Sequence, residues 1–391
     1  MKNNNTSLQH ALQRIKDVAH SFLMLEDDNF IDAVLAAVLS IKLNADPLWL
    51  FLIAPSSSGK TEILRALDGH KSVYFLSSFT RNTLISGYIP KDDTKQDPSL
   101  LHQLNGKVII AKDFTTVLQM RREDRQEIFA QLREVYDGMY DKAFGTGERK
   151  KWRGKVGFIA GVTPAIERHR AVNQSLGERY IYYHIDSSDP LLVAQMAQSK
   201  TIDKDSSRKE LKKSVHAFLD MLESDRNKDN IQLSQLMSDR ISNLAVFCST
   251  ARTSVDRDPY NKIIETMPDP EGPGRLVNQL SLLGICLAMV RGIDCIDEGV
   301  FDILRKVACD SIPSVRLPVI KALLATEYDK WASTSDIVQN TGMPPTTVRY
   351  QLEELPMLGL AFQEGHDRDH TWKASDQLLQ LVQDGNIFIK H

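Results

Sequence analysis

Trp49-Leu-Phe-Leu-Ile-Ala54-Pro-Ser-Ser-Ser-Gly-Lys60-Thr61-Glu-Ile-Leu-Arg-Ala-Leu67 joins an uninterrupted apolar run to a short helical pattern through a loop of small residues. A continuous apolar run bounded by turn residues reads as a strand buried on both faces, and Glu62–Leu67 reads as a helix. Ala54–Thr61 fits the spacing G-x-x-x-x-G-K-[ST], with Ala54 where the first glycine often stands, between the strand and the helix that such a loop requires. Loop amides and the helix start would then surround a phosphate, Lys60 would meet the outer phosphate oxygens, and the Thr61 hydroxyl would bind Mg²⁺. Pro55, Ser56, Ser57, Ser58, Gly59, Lys60, Thr61 and Glu62 are therefore the expected contacts to a nucleotide, with ATP and Mg²⁺ as cofactors.

Outward from this stretch, the short apolar runs Ser72–Ser77, Val108–Ala111, Val156–Val162 and Tyr180–Ile185 read as further strands. Alternation with helical segments indicates a parallel α/β sheet. Asp113 ends the third run, where an acidic residue would hold the Mg²⁺ shell together with Thr61. Phe114 follows it, where many ATPases carry a glutamate that activates water; Asp137 or Glu134 could stand in, or hydrolysis would be slow. Two helices precede the sheet, over 7–43, with the second beginning after Asp28. From Pro190 to about Asp310 the pattern is helical, interrupted by polar stretches at 200–213 and 224–229 and by a Pro/Gly-rich turn at 268–274.

Composition supports this reading. The 391 residues suit two or three domains, and 42% apolar with 25% charged residues excludes disordered, collagen-like and disulfide-stapled chains. Cys248, Cys286, Cys295 and Cys309 form no CxxC pair, which argues for reduced thiols in helices. No apolar leader or membrane-length run is present, so a cytoplasmic protein without membrane contact is expected. The net charge of −3 excludes coating of nucleic acid by bulk positive charge, and any such binding needs a local basic element.

The phosphate-type loop with its strand-end acid resembles the AAA+ ATPases over roughly residues 48–310. The resemblance implies a sensor at Thr163, in Gly157-Phe-Ile-Ala-Gly-Val-Thr-Pro164, and an arginine finger at Arg179, in Gly177-Glu-Arg-Tyr180. Such a finger acts on the neighbouring subunit's site, so the family implies a homo-oligomeric ring or filament. Gly274-Arg275-Leu-Val-Asn-Gln-Leu280 resembles the family's sensor-2 helix, making Arg275 a further catalytic candidate, and the sequence after it resembles the lid of minichromosome-maintenance helicases. The expected organisation is a helical segment over 1–46, a P-loop AAA+ core over 47–189, an α-helical lid over 190–312 and a C-terminal domain over 313–391.

Two elements speak to DNA. Met139–Lys155 reads as a β-hairpin around Gly145-Thr-Gly147, and five of the seven residues from Arg149 to Lys155 are basic. The helicase-like AAA+ branch carries such a hairpin into its central channel, which makes Lys150, Lys151, Arg153 and Lys155 phosphate contacts and Trp152 a stacking residue. A lysine-protected edge strand would show the same composition. Residues 313–382 resemble a winged helix-turn-helix domain, with Thr346, Thr347 and Arg349 at the start of the helix that would enter a groove. Seven basic against ten acidic residues from Ser314 to His391 leave protein contact open for that domain. The function expected is an oligomeric ATPase that remodels or translocates DNA, as replication initiators and helicases do; the alternative is a nucleotide-gated switch with slow turnover.

Overall fold

The computed structural model describes residues 2–55, 58–85, 99–144, 149–169, 178–186, 189–199, 204–224, 231–258, 260–327, 330–365 and 370–388. These form two compact units: Met1–Ile166 with Arg179–Gln232 and Leu282–Ile303, and Glu167–Glu178 with Leu233–Ser281 and Leu304–His391.

The first unit is α/β. Its sheet contains β1 (Trp49–Ile53), β2 (Val73–Phe75), β3 (Lys107–Ala111), β6 (Val156–Val162) and β7 (Ile181–His184), all parallel, in the order β2-β3-β6-β1-β7. The hairpin strands β4 (Met139–Ala143) and β5 (Arg149–Arg153) pair separately. Every residue of β1 and β6 is buried, as expected for strands covered on both faces. One face carries an aromatic cluster: Phe51 stacks on Tyr180 with centroids 4.3 Å apart, and Phe114 and Phe158 meet edge to face. Gly161 lets β6 pass close to the chain leaving β3, since a Cβ there would stand 2.6 Å from the Lys112 carbonyl oxygen.

Helix Lys2–His20 packs against helix Lys204–Ser224, which also contacts Lys60–Ala66 and Asn29–Ser40. The second of these helices runs through part of the stretch that polarity marked as an interruption. Leu211, Val215, Phe218, Leu219 and Leu222 form a buried stripe at helical spacing, and that stripe outweighs the polar residues between them. Cys248, Cys286 and Cys309 are buried in helices as free thiols. Cys295 departs from the expectation: it is exposed and forms an isolated bridge with Gln232 outside any helix.

In the second unit, β8 (Ala332–Ser333), β9 (Ala361–Glu364) and β10 (Thr371–Ala374) form an antiparallel sheet ordered β8-β10-β9. Helices Arg316–Leu324, Thr334–Thr341 and Pro345–Met357 pack with it, followed by Asp376–Asp384. Ser333 and Asp336 form a reciprocal capping box, and Gly342 ends that helix at φ 66°. Arg316, 3% exposed, donates to Glu354 at 2.7 Å and to the carbonyls of Ala251 and Thr253. Residues 366–369, between β9 and β10, lie outside the described residues. No helix among the described residues is long and apolar enough to cross a membrane.

His70 links the sheet to helix Lys204–Ser224. It is 5% exposed, its ring meets His216 edge to face at 5.3 Å, its Nε2 lies 3.6 Å from Asp220 Oδ1, and its Nδ1 accepts the Ser72 N–H. Burial pushes the imidazole below its ordinary 6.5, against the opposing pull of Glu223 and Asp220. The unfolded chain then takes up this proton first, so stability is full above pH 6.5 and declines as pH falls toward the lower folded-state value. In Tm measurements between pH 7.5 and 5.5, His70→Gln is expected to flatten this decline; an unchanged slope would assign it to other groups.

Candidate functional site

Parallel pairing sets the geometry. Ile53 pairs with Val162 and Ala111 with Ala160, so the ends of β1, β3 and β6 lie together at one sheet edge. The Ala54 N–H donates to the Val162 carbonyl at 3.2 Å, and the Phe114 N–H to the Gly161 carbonyl at 2.9 Å. Lys60, Asp113 and Thr163 follow these three strand ends. Thr115 ties two of them: its N–H donates to Asp113 Oδ1 at 2.9 Å and its hydroxyl oxygen accepts the Thr163 N–H at 3.1 Å.

Gly59 turns the loop into helix Lys60–Ala66 at φ 81°, and a Cβ there would stand 3.0 Å from Leu25 Cδ2. Lys60 is 7% exposed, and its ammonium donates to the carbonyls of Ala54 at 2.9 Å and Pro55 at 3.0 Å. Burial pulls its pKa below the ordinary value, and the negative charge of Asp113 opposes that shift. The loop's own oxygens therefore hold a lysine that a phosphate group could compete for. Ser56 and Ser57 lie outside the described residues.

Beside this lysine is a cavity of about 270 Å³ lined by Ser58, Gly59, Lys60, Thr61 and Glu62, by Phe22, Leu23 and Met24, and by Val193 and Lys204. Phe22–Met24 were not anticipated. They join two helices distant in sequence from the loop, and no local pattern announces their contact with it. Glu62 lines the cavity, and Arg208 holds its carboxylate. Burial raises its pKa, but hydrogen bonds and charge from Arg208, at 2.9 and 2.7 Å, outweigh that and hold it below its ordinary value.

The carboxylate of Asp113 and the hydroxyl of Thr61 are hard oxygen donors that suit Mg²⁺, whose remaining positions phosphate oxygens and water would fill. Among the described residues no cluster of three or more His, Cys, Asp or Glu could hold a metal by itself.

Arg179 forms a two-pronged pair with Asp137, Nε to Oδ1 at 3.1 Å and Nη2 to Oδ2 at 2.8 Å, with its guanidinium 5.9 Å from the Tyr136 ring centroid. Finger candidate and water-activating candidate thus occupy each other. Glu134 is exposed. Phe114 is fully buried in the aromatic cluster. Arg275, in the second unit, donates to Glu271 at 2.5 Å and to the Glu178 carbonyl at 3.3 Å.

The hairpin corrects the reading of its basic residues. Strand alternation places Lys150 and Trp152 inward, 7% and 4% exposed, and Trp152 pairs with Tyr140 across the strands within the hydrophobic core. Trp152 therefore has no face for a base, and Lys150 is not a surface cation. Lys155 is also structural: its ammonium donates to the carbonyls of Ser40 and Leu43 at the end of helix Asn29–Ser40. Arg149, Lys151 and Arg153 face outward, with Asp141 paired to Arg149 at 2.7 Å and Lys151 at 3.4 Å. The turn at 145–148 lies outside the described residues. On helix Pro345–Met357, Thr346 and Arg349 are exposed and Thr347 is half-buried; Arg349 lies 3.6 Å from Glu353.

No family model matches the chain, and no curated protein matches it.

The hairpin alternation gives a direct test. In urea unfolding, Trp152→Ala is expected to lose about 3–5 kcal/mol, whereas Lys151→Glu should stay within about 0.5 kcal/mol of the parent. A Trp152→Ala protein of parent stability would contradict the inward placement.

Proposed function

We propose that the chain is a Mg²⁺-dependent ATPase of the AAA+ type that acts on DNA as a homo-oligomer. The observation that carries the reading is the convergence of Lys60, Asp113 and Thr163 at adjacent strand ends, beside a cavity of about 270 Å³ that also takes in Thr61. Ligands of open parallel sheets bind at the carboxyl ends of the strands, and a strand–loop–helix unit ending in Lys-Thr suits a triphosphate. In this reading the loop and Lys60 hold the phosphates. Thr61 and Asp113 hold Mg²⁺, which supplies charge neutralisation at the transferring phosphate. Thr163, which follows β6, is the γ-phosphate sensor in this reading. Arg179, once released from Asp137, serves a neighbouring subunit, and Arg275 is the sensor-2 candidate.

The outward cations Arg149, Lys151 and Arg153 support contact with a DNA backbone through the hairpin. The three helices and antiparallel sheet of the second unit support a winged-helix reading of residues 313–391, with Thr346, Thr347 and Arg349 as its DNA-facing residues. The excess of acidic over basic residues from Ser314 to His391 favours the hairpin as the stronger DNA contact.

A second reading, a nucleotide-gated switch, is favoured by two specific observations: Phe114 is buried in the core where a glutamate would activate water, and Asp137 is engaged by Arg179. Such a protein binds ATP and turns it over slowly.

ATPase assays with and without single-stranded DNA separate the two. The motor reading expects turnover that rises with DNA and falls by about 10²-fold or more in Lys60→Ala. Charge reversal at Lys151 and Arg153 should remove the stimulation and reduce the salt slope of DNA binding by about one per lost phosphate contact. Tight ATP binding with negligible turnover supports the switch, and absence of nucleotide binding overturns both.

A further inference from the structure

We propose that Lys204 is a second phosphate-binding cation of the Lys60 cavity, its ammonium meeting the inner, α-phosphate end of a triphosphate whose outer end Lys60 meets. The proposal rests on the nucleotide reading of that cavity. Lys204 opens helix Lys204–Ser224, in a stretch whose polarity reads in the sequence as an interruption, and it lines the cavity of about 270 Å³ with Lys60, Thr61 and Glu62. Arg208, one turn further along the same helix, makes a two-pronged pair with Glu62, Nε to Oε2 at 2.9 Å and Nη2 to Oε1 at 2.7 Å. Residues four apart share a helix face, so the pair that ties Arg208 to helix Lys60–Ala66 also brings Lys204 alongside it.

Other cations already hold the carboxylates around Lys204. Arg208 takes both oxygens of Glu62 and also donates from Nη1 to Asp205 Oδ1 at 3.3 Å, and Arg65 lies 3.5 Å from Glu62. Lys204 itself is half-buried and makes no hydrogen bond or ion pair among the described residues. An ammonium that lines a cavity while its acidic neighbours are engaged elsewhere suits an anionic occupant, to which it can make charge-assisted hydrogen bonds. Its place along a triphosphate follows from the order of the loop. The lysine of such a loop reaches the β- and γ-phosphates, while backbone amides cradle the α- and β-phosphates. Residues after Thr61 therefore stand toward the inner end, and the positive charge of Lys204 is felt at Glu62, the first of them. The α-phosphate keeps its charge while the terminal phosphate departs, so a contact to it strengthens ground state and transition state alike. It is also present in ADP. Lys204 thus adds affinity for both nucleotides and leaves the choice between them to Lys60.

The test is calorimetry on the full chain with ATP and with ADP, each in the presence of Mg²⁺, together with the ligand-free Tm. Lys204→Ala should bind both nucleotides about tenfold more weakly and by the same factor. Its ligand-free Tm should match the parent, because the side chain has no bond within the described residues to lose. Lys204→Arg, which keeps the charge, should recover most of the affinity for both. Parent affinity in Lys204→Ala, or a loss confined to ATP, would overturn the proposal. If Lys60→Ala weakens ATP binding while Lys204→Ala does not, this proposal fails and the nucleotide reading stands; a parent chain that binds neither nucleotide overturns the two together.

Discussion

The parallel pairing of β1 between β6 and β7 is the constraint on which the rest of the first unit depends. It brings Lys60, Asp113 and Thr163 to one sheet edge through registers that leave no residue of β1 or β6 exposed. The aromatic cluster around Phe51, Phe114 and Phe158 fills the face below that edge, and close-packed interiors resist shifts of even one methylene. The chemistry proposed for the edge is therefore set on a rigid base, while the loop that carries it turns on Gly59 and encloses Lys60 with its own carbonyls. A phosphate would replace those carbonyls as the partner of the ammonium.

The strands of the parallel sheet were legible because each is a short, mainly apolar run, and the start of helix Lys60–Ala66 because Gly59 marks the turn before it. Less legible was anything that depends on which side of an element a residue faces or on contacts across long sequence separations. Alternation in Arg149-Lys-Lys-Trp-Arg153 already separates Lys150 and Trp152 from the outward Arg149, Lys151 and Arg153; the density of charge obscured the period of two. The Phe22–Met24 wall and the Arg179–Asp137 pair join segments far apart in sequence, and no spacing rule connects them. In helix Lys204–Ser224, lysines and serines concealed an apolar stripe that only its period of 3.6 would reveal.

Buried ions give the second unit a different logic. Arg316 with Glu354, and Arg252 with Glu271, place guanidinium groups at 3% and 2% exposure. Such pairs offer little net stability over apolar substitutes, but losing one partner costs about 3–5 kcal/mol because a buried charge is left alone. Arg316 donates from all three of its nitrogens, to Gln351, Glu354 and two carbonyls. Arg252 donates from Nη2 to Glu271, and its Nη1 has no hydrogen-bond partner among the described residues.

The measurement that tests the central claim most directly is a structure of the protein with Mg²⁺ and a slowly hydrolysed ATP analogue. The account predicts the β- and γ-phosphates at the sheet edge, the Lys60 ammonium moved from the carbonyls of Ala54 and Pro55 onto phosphate oxygens, and Mg²⁺ between Thr61 and Asp113. Nucleotide bound elsewhere, or Lys60 still held by those two carbonyls in the occupied protein, would contradict it.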